Sequence, residues 1–208
     1  MENEVPIQLK VRITPQEYLA LERKAETRSE YFDGEVFMMP GAKRDHRMIV
    51  VNLTTELSIQ FRDRPCDVYP TDLRVKVSAT GLYTYPDLVA VCGEPQFEDT
   101  YLDTLVNPHL IIEVLSESTE SYDRGRKFAH YRTIDSLREY VLVSQTECRI
   151  ERFTRQDDGN WLYTETMDPV ASIELTSVAC RLSLSRVYHK VDFERARTEQ
   201  RESRLSHP

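Results

Sequence analysis

Apolar and polar positions follow two rhythms along this chain. Between Asp45 and Phe61, the residues Ile49, Val50, Leu53, Leu57 and Phe61 recur at helical spacing, which predicts a helix laying one face on a sheet. Elsewhere the apolar runs are short and rich in branched residues, the pattern of buried strands. Two such strands are predicted from Asp67 to Val77 and from Tyr83 to Val91, joined by a turn at Ser78-Ala79-Thr80-Gly81. Another follows Pro108 and carries Leu110-Ile111-Ile112-Glu113-Val114-Leu115. Further strands are predicted over Glu139 to Ser144, Arg149 to Thr154 and Trp161 to Glu165, the last two meeting at Asp157-Asp158-Gly159.

Local punctuation fills in the rest. Thr14-Pro15-Gln16-Glu17 has the form of a capping box with proline at the first helical position, so a short helix should run to about Ala25. Asp33-Gly34, between Tyr31-Phe32 and Glu35-Val36-Phe37-Met38, predicts a tight hairpin that Pro40-Gly41 ends. A helix is expected from about Tyr122 to Ile134, with Asp123 in its first turn favourable to the helix dipole. The order helix, hairpin, helix, strands, helix, strands predicts an α/β fold with a central mixed sheet flanked by helices. Residues 1–190 are expected to form one domain. The stretch 191–208 alternates charge without a core stripe and is expected to be a charged, solvated tail.

Composition narrows the class. With 208 residues, 40% hydrophobic and 30% charged, the chain can bury a core without covalent staples. No apolar run approaches a membrane span, and Met1-Glu2-Asn3-Glu4 is acidic where a secretory leader is basic, so a cytoplasmic protein is expected. Cys66, Cys92, Cys148 and Cys180 lie far apart with no zinc-site spacing, and are expected to be buried free thiols. A net charge of -8 makes the chain as a whole a poor polyanion binder, so any contact with nucleic acid must be local.

Two acids stand out against this background. Asp87, in Tyr85-Pro86-Asp87-Leu88-Val89, and Glu113 both adjoin runs of buried-strand character. Burying unpaired carboxylates near each other is costly, and a hard cation would neutralise them. Plainer readings exist for each residue. Asp87 could be satisfied by turn amides, Glu113 by an arginine such as Arg74, and Lys127 by an ordinary helical pair with Asp123 four residues earlier. The basic run Arg124, Arg126, Lys127 and Arg132 could face phosphates or merely solvent.

The ordered set Glu30-Tyr31-Phe32-Asp33-Gly34-Glu35, His46, Asp72-Leu73-Arg74-Val75, Tyr85-Pro86-Asp87-Leu88-Val89, Ile111-Ile112-Glu113-Val114-Leu115-Ser116, Asp123-Arg124-Gly125-Arg126-Lys127 and Tyr131 resembles the PD-(D/E)XK, restriction-endonuclease-like superfamily. Within it the chain resembles the Uma family of short bacterial putative restriction endonucleases. The resemblance implies a restriction-endonuclease-like core and an endonuclease that hydrolyses DNA phosphodiester bonds with Mg²⁺ or Mn²⁺, acting as a homodimer. It implies a catalytic set of Asp87, Glu113, Lys127 and Glu35, with Asp87 and Glu113 on the metal. His46, Arg74, Arg124 and Tyr131 would contact substrate. One departure matters: the superfamily places a lysine two positions after the second acid, where this chain has Leu115. The resemblance implies that Lys127, from the next helix, takes its place. Two other classes fit the acidic surface: a catalytically inactive binding or regulatory module on the same fold, and a phosphodiesterase acting on small molecules.

Overall fold

The computed structural model describes residues 12–194. The acidic residues 1–4, and the tail expected over 191–208 from residue 195 onward, lie outside the described residues. In chain order the elements are α1 (Pro15–Glu22), β1 (Ser29–Phe32), β2 (Glu35–Met38), α2 (Arg44–Phe61), β3 (Cys66–Pro70), β4 (Arg74–Val77), β5 (Leu82–Thr84), β6 (Leu88–Cys92), β7 (Thr104–Leu105) and β8 (Leu110–Leu115). Then follow α3 (Glu120–Tyr122), a π-helical turn over Asp123–Lys127, α4 (Phe128–Tyr131), β9 (Glu139–Ser144), β10 (Ile150–Arg155), β11 (Trp161–Thr166), β12 (Ser172–Leu175), β13 (Cys180–Ser183) and α5 (Leu184–Val187).

These elements build a mixed α/β fold on two main sheets. One has the order β2-β1-β5-β4-β7 and the other β11-β10-β9-β8-β6-β3, with β12 and β13 forming a separate ribbon. Both main sheets are mixed: β4 pairs with β7 and β8 with β9 in parallel, and the remaining pairs are antiparallel. The predicted start of α1 is present in full, with the Glu17 amide donating to Thr14 Oγ1 at 3.2 Å and the Thr14 amide donating to Glu17 Oε2 at 2.7 Å. The hairpin turns at Asp33 and Gly34, both at positive φ, the backbone that an Asp-Gly pair favours.

Strand alternation assigns each side chain of β8 to a face. Leu110, Ile112 and Val114 join Ile49, Leu53 and Leu57 of α2 in one core. Ile111 and Leu115 join Val75, Val89, Tyr131 and Tyr140 in a second core on the opposite face. Because successive side chains point to opposite faces, Glu113 is directed into the second layer, among groups from the helical stretch that follows β8.

Three sequence expectations are corrected. The single strand expected over Asp67 to Val77 is two strands in different sheets, and so is the one expected over Tyr83 to Val91. Thr71, at φ 36°, bends the chain after Pro70, and Pro86 lacks the N–H that a continuous ladder needs. The two crossings lie side by side, with the Thr71 amide donating to the Asp87 carbonyl at 2.9 Å. One central sheet therefore becomes two sheets sharing a seam, and Asp87 stands on it. The third correction concerns the thiols: Cys66 and Cys92 face each other across β3 and β6 and form a disulfide, while Cys148 and Cys180 are free. No described helix is long and apolar enough to cross a membrane.

Candidate active site

The seam between the sheets opens into a cleft of about 1900 Å³. The ladder between β6 and β8 pairs Val89 with Ile111 and Leu88 with Ile112, so the next opposed positions are Asp87 and Glu113. Directly opposed residues share a face, which is why two acids 26 positions apart arrive together. The Asp87 amide donates to Glu113 Oε2 at 3.3 Å, and the Val114 amide donates to Asp87 Oδ2 at 2.7 Å.

The stretch after β8 supplies the remaining groups. Lys127, only 5% exposed, sits at the end of the π-helical turn with Nζ 3.0 Å from Glu113 Oε1, 3.2 Å from Glu30 Oε1 and 3.6 Å from Asp123 Oδ1. Tyr131, fully buried, donates its hydroxyl to Glu113 Oε1 at 2.9 Å. His46, in the first turn of α2, places Nε2 3.1 Å from Asp87 Oδ2. A π-helical turn carries one more residue per turn than an α-helix, which shifts the directions of the side chains on either side of it.

Charge is out of balance here. Glu30, Asp87, Glu113 and Asp123 converge on one ammonium and one imidazole. Burial pushes the Glu113 carboxyl up; Lys127 opposes this, and the nearby Asp123 and Asp87 carboxylates add to it. Burial likewise raises Asp123. On Lys127 burial alone would lower the ammonium, but Glu113, Glu30 and Asp123, with the Tyr131 phenol, outweigh it and raise it well above its ordinary value. The donor set is hard oxygen, the kind Mg²⁺ takes. Asp87 Oδ1 makes no hydrogen bond among the described residues, leaving an oxygen that can ligate. No group of three or more His, Cys, Asp or Glu side chains is gathered as a ready metal cage among the described residues.

The structure thus brings together Asp87, Glu113, Lys127, His46 and Tyr131. The hairpin acid that lines the cleft and reaches Lys127 is Glu30, on β1; Glu35 begins β2, opposite Phe32. Arg74 is engaged elsewhere, donating to Tyr85 at 2.7 Å and to Thr104 at 3.0 Å and pairing with Asp103 at 3.1 Å. Arg124 turns away from the cleft to grip Glu151 on β10 and Glu120. Glu113 takes Lys127 as its ion partner, the role that Arg74 could have filled. Sequence reasoning gave Glu30, within the hairpin motif, no role of its own and passed over Thr84, whose hydroxyl donates to Glu30 Oε1. Strand parity around the Asp-Gly turn is the signal for Glu30. Thr84 has none, because its contact depends on β5 lying beside β1.

Residues 15–185 match the family model described as Uma2, putative restriction endonuclease. Two Synechocystis sp. (strain ATCC 27184 / PCC 6803 / Kazusa) proteins are similar along most of their length. "Uncharacterized protein sll1609" is 37% identical over 164 residues, 79% of this chain and 93% of the relative. "Uncharacterized protein slr1290" is 34% identical over 182 residues, 88% of this chain and 94% of the relative. Among solved structures, a putative nuclease belonging to DUF820 from Anabaena variabilis ATCC 29413 superposes with a TM-score of 0.70 at 20% identity, covering 85% of this chain and 97% of that one, which shows a common fold. With a family match that spans both sheets and every residue of the cluster, this chain belongs to the Uma2 family of putative restriction endonucleases.

Proposed function

We propose that this chain is a divalent-cation-dependent endonuclease that hydrolyses phosphodiester bonds of nucleic acid, DNA in the first instance, with Asp87 and Glu113 holding Mg²⁺ or Mn²⁺. A cation bound there supplies Lewis-acid charge neutralisation at the phosphate and at the attacking water. The chain's own residues do the rest. His46 fixes the Asp87 carboxylate through Nε2, and the Tyr131 hydroxyl fixes Glu113 through Oε1. Lys127 stays protonated among its carboxylate neighbours, so it is suited to stabilise negative charge as it develops on the phosphate and not to take a proton from water. Glu30, braced by Thr84, holds the ammonium in place from the hairpin side.

The observation that carries this reading is the meeting of Asp87, Glu113 and Lys127 at the floor of a cleft, from two strands and a helix, with more carboxylate than cation. Leu115, at the usual lysine position, packs in the second core, and Lys127 brings its ammonium to Glu113 from the π-helical turn. We further propose a homodimer, which would pool cationic surface that a chain of net charge -8 lacks by itself. Incubation of supercoiled plasmid with Mg²⁺ or Mn²⁺ tests the reading: cleavage should appear with metal, vanish with EDTA, and be lost in Asp87→Asn.

One observation favours a second reading, that of an inactive binding module. Lys127 and Tyr131 occupy Glu113 Oε1 and the Asp87 amide occupies Oε2, so Glu113 is satisfied without any ion. Absence of cleavage together with absence of a metal-induced thermal shift would decide for it.

A further inference from the structure

We infer that the cleft is built to hold an unpaired nucleic-acid strand in preference to a closed duplex; the inference rests on the nuclease reading above and names the form of its substrate. The floor of the cleft is carboxylate, but its walls are of another kind. Phe37 and Met38 of β2 are 48% and 66% exposed, and Val51 of α2, which lines the same cleft, is 58% exposed. Exposed apolar side chains offer a closed duplex less, since its bases are stacked inside and only phosphate and groove edges reach the protein. For an unpaired strand they are a surface on which base faces can lie.

The placement of Phe37 ties this surface to the chemistry. In the hairpin register Phe37 is directly opposite Glu30, so the two side chains leave the same face of the β1–β2 ribbon. Glu30 is the acid that holds Lys127. A ring that can stack on a base therefore stands one strand-spacing from Glu30, whose carboxylate reaches the ammonium expected to face the scissile phosphate, which suits neighbouring nucleotides of a single strand.

The cations fit the same occupant. Lys43, Arg47 and Arg126 line the mouth, are exposed, and have no carboxylate at ion-pair distance among the described residues. Asp72 and Glu117 line the same mouth. The positive surface is thus enough to track one backbone but small beside what duplex affinity demands, which comes chiefly from neutralising many phosphates.

Fluorescence anisotropy of the full chain tests the inference, using a short fluorescein-labelled oligonucleotide, alone and as a duplex, with Ca²⁺ in place of Mg²⁺. The single strand should bind at least about tenfold more tightly than the duplex. Phe37→Ala should weaken the single strand by roughly tenfold and leave the duplex unchanged. Phe37→Trp, which keeps a stacking face, should retain affinity and also control for any folding defect of the alanine variant. Arg47→Ala with Arg126→Ala should weaken both forms and flatten their salt dependence. Equal or tighter duplex binding, or single-strand affinity indifferent to Phe37→Ala, overturns the inference. So does sedimentation showing that the Phe37 surface pairs two copies of the chain while no strand binds. A parallel cleavage assay keeps the two readings apart: duplex cleavage without strand preference overturns the inference alone, and strand binding without metal-dependent cleavage overturns the hydrolytic reading alone.

Discussion

Asp87 and Glu113 grip each other through the backbone: the Asp87 amide donates to Glu113 Oε2 at 3.3 Å, and the amide following Glu113 donates to Asp87 Oδ2 at 2.7 Å. The exchange holds the two carboxylates together, one within β8 and one just before β6, where ladder geometry and not side-chain flexibility sets their separation. Such a preorganised pair, short of positive charge, should respond to a divalent cation both in stability and in activity.

For the acid pair, saturating Mg²⁺ or Mn²⁺ is expected to raise the melting temperature by on the order of 5 °C, the size that mass-action linkage gives for a chain of this length. Glu113→Gln and Asp87→Asn should each abolish that shift and lower cleavage by at least roughly 100-fold, since a metal supplies several kcal/mol of charge stabilisation. Differential scanning fluorimetry and a plasmid assay measure the two effects, and an undiminished metal shift in both variants would sink the assignment.

Lys127 couples stability to activity. Lys127→Met leaves Glu113, Glu30 and Asp123 without their shared ammonium, which should cost about 3 kcal/mol in urea unfolding and roughly 100- to 1000-fold in cleavage. Lys127→Arg should not restore activity, because a planar guanidinium does not reproduce a compact charge in a buried three-acid cradle.

Arg124 is expected to act on stability instead. Its guanidinium is spent on Glu151, which is nearly buried, and on Glu120. Arg124→Ala should lower the urea midpoint by the equivalent of about 1 to 2 kcal/mol, with Arg149 still beside Glu151 at 3.3 Å to limit the loss. The salt dependence of nucleic-acid binding should not change; a reduced slope would return Arg124 to the substrate.

A pH dependence follows from Asp103. The hydrogen bond from Arg23 holds its carboxyl down at about 2, against burial and with help from Thr104 and Arg74, where the ordinary value is near 3.8. A carboxyl depressed in the folded state adds stability above its unfolded value and loses it as pH falls toward the folded one. Stability should therefore drop between about pH 4 and pH 2, by about 1 kcal/mol after solvent screening of this partly exposed group. Asp103→Asn should flatten that part of the profile in urea titrations.

The disulfide gives a prediction independent of the site. Cys66 and Cys92 close a loop with a sequence separation of 26, so Cys66→Ser with Cys92→Ser should cost about 3 to 4 kcal/mol in unfolding under oxidising conditions. With reducing agent present, wild type and variant should converge.

What the sequence by itself determined is the part of the molecule governed by neighbours along the chain. The capping box at Thr14, the hairpin at Asp33-Gly34 and the apolar stripe from Ile49 to Phe61 are local signals, read by backbone preference and periodicity, and each has its expected form. Asp87 and Glu113 were legible as candidates because a carboxylate among buried-strand residues demands a partner wherever it folds.

What only the tertiary structure decided is everything that depends on which strands lie side by side. Residues 67–77 and 83–91 look continuous in sequence but divide between two sheets, and that division creates the seam on which Asp87 stands. Glu30, not Glu35, reaches Lys127 because its strand and β5 place it there, and Cys66 meets Cys92 because β3 pairs with β6. The physical reason is the same in each case. Periodicity says which face a side chain leaves, but the packing of the whole chain chooses what stands opposite it.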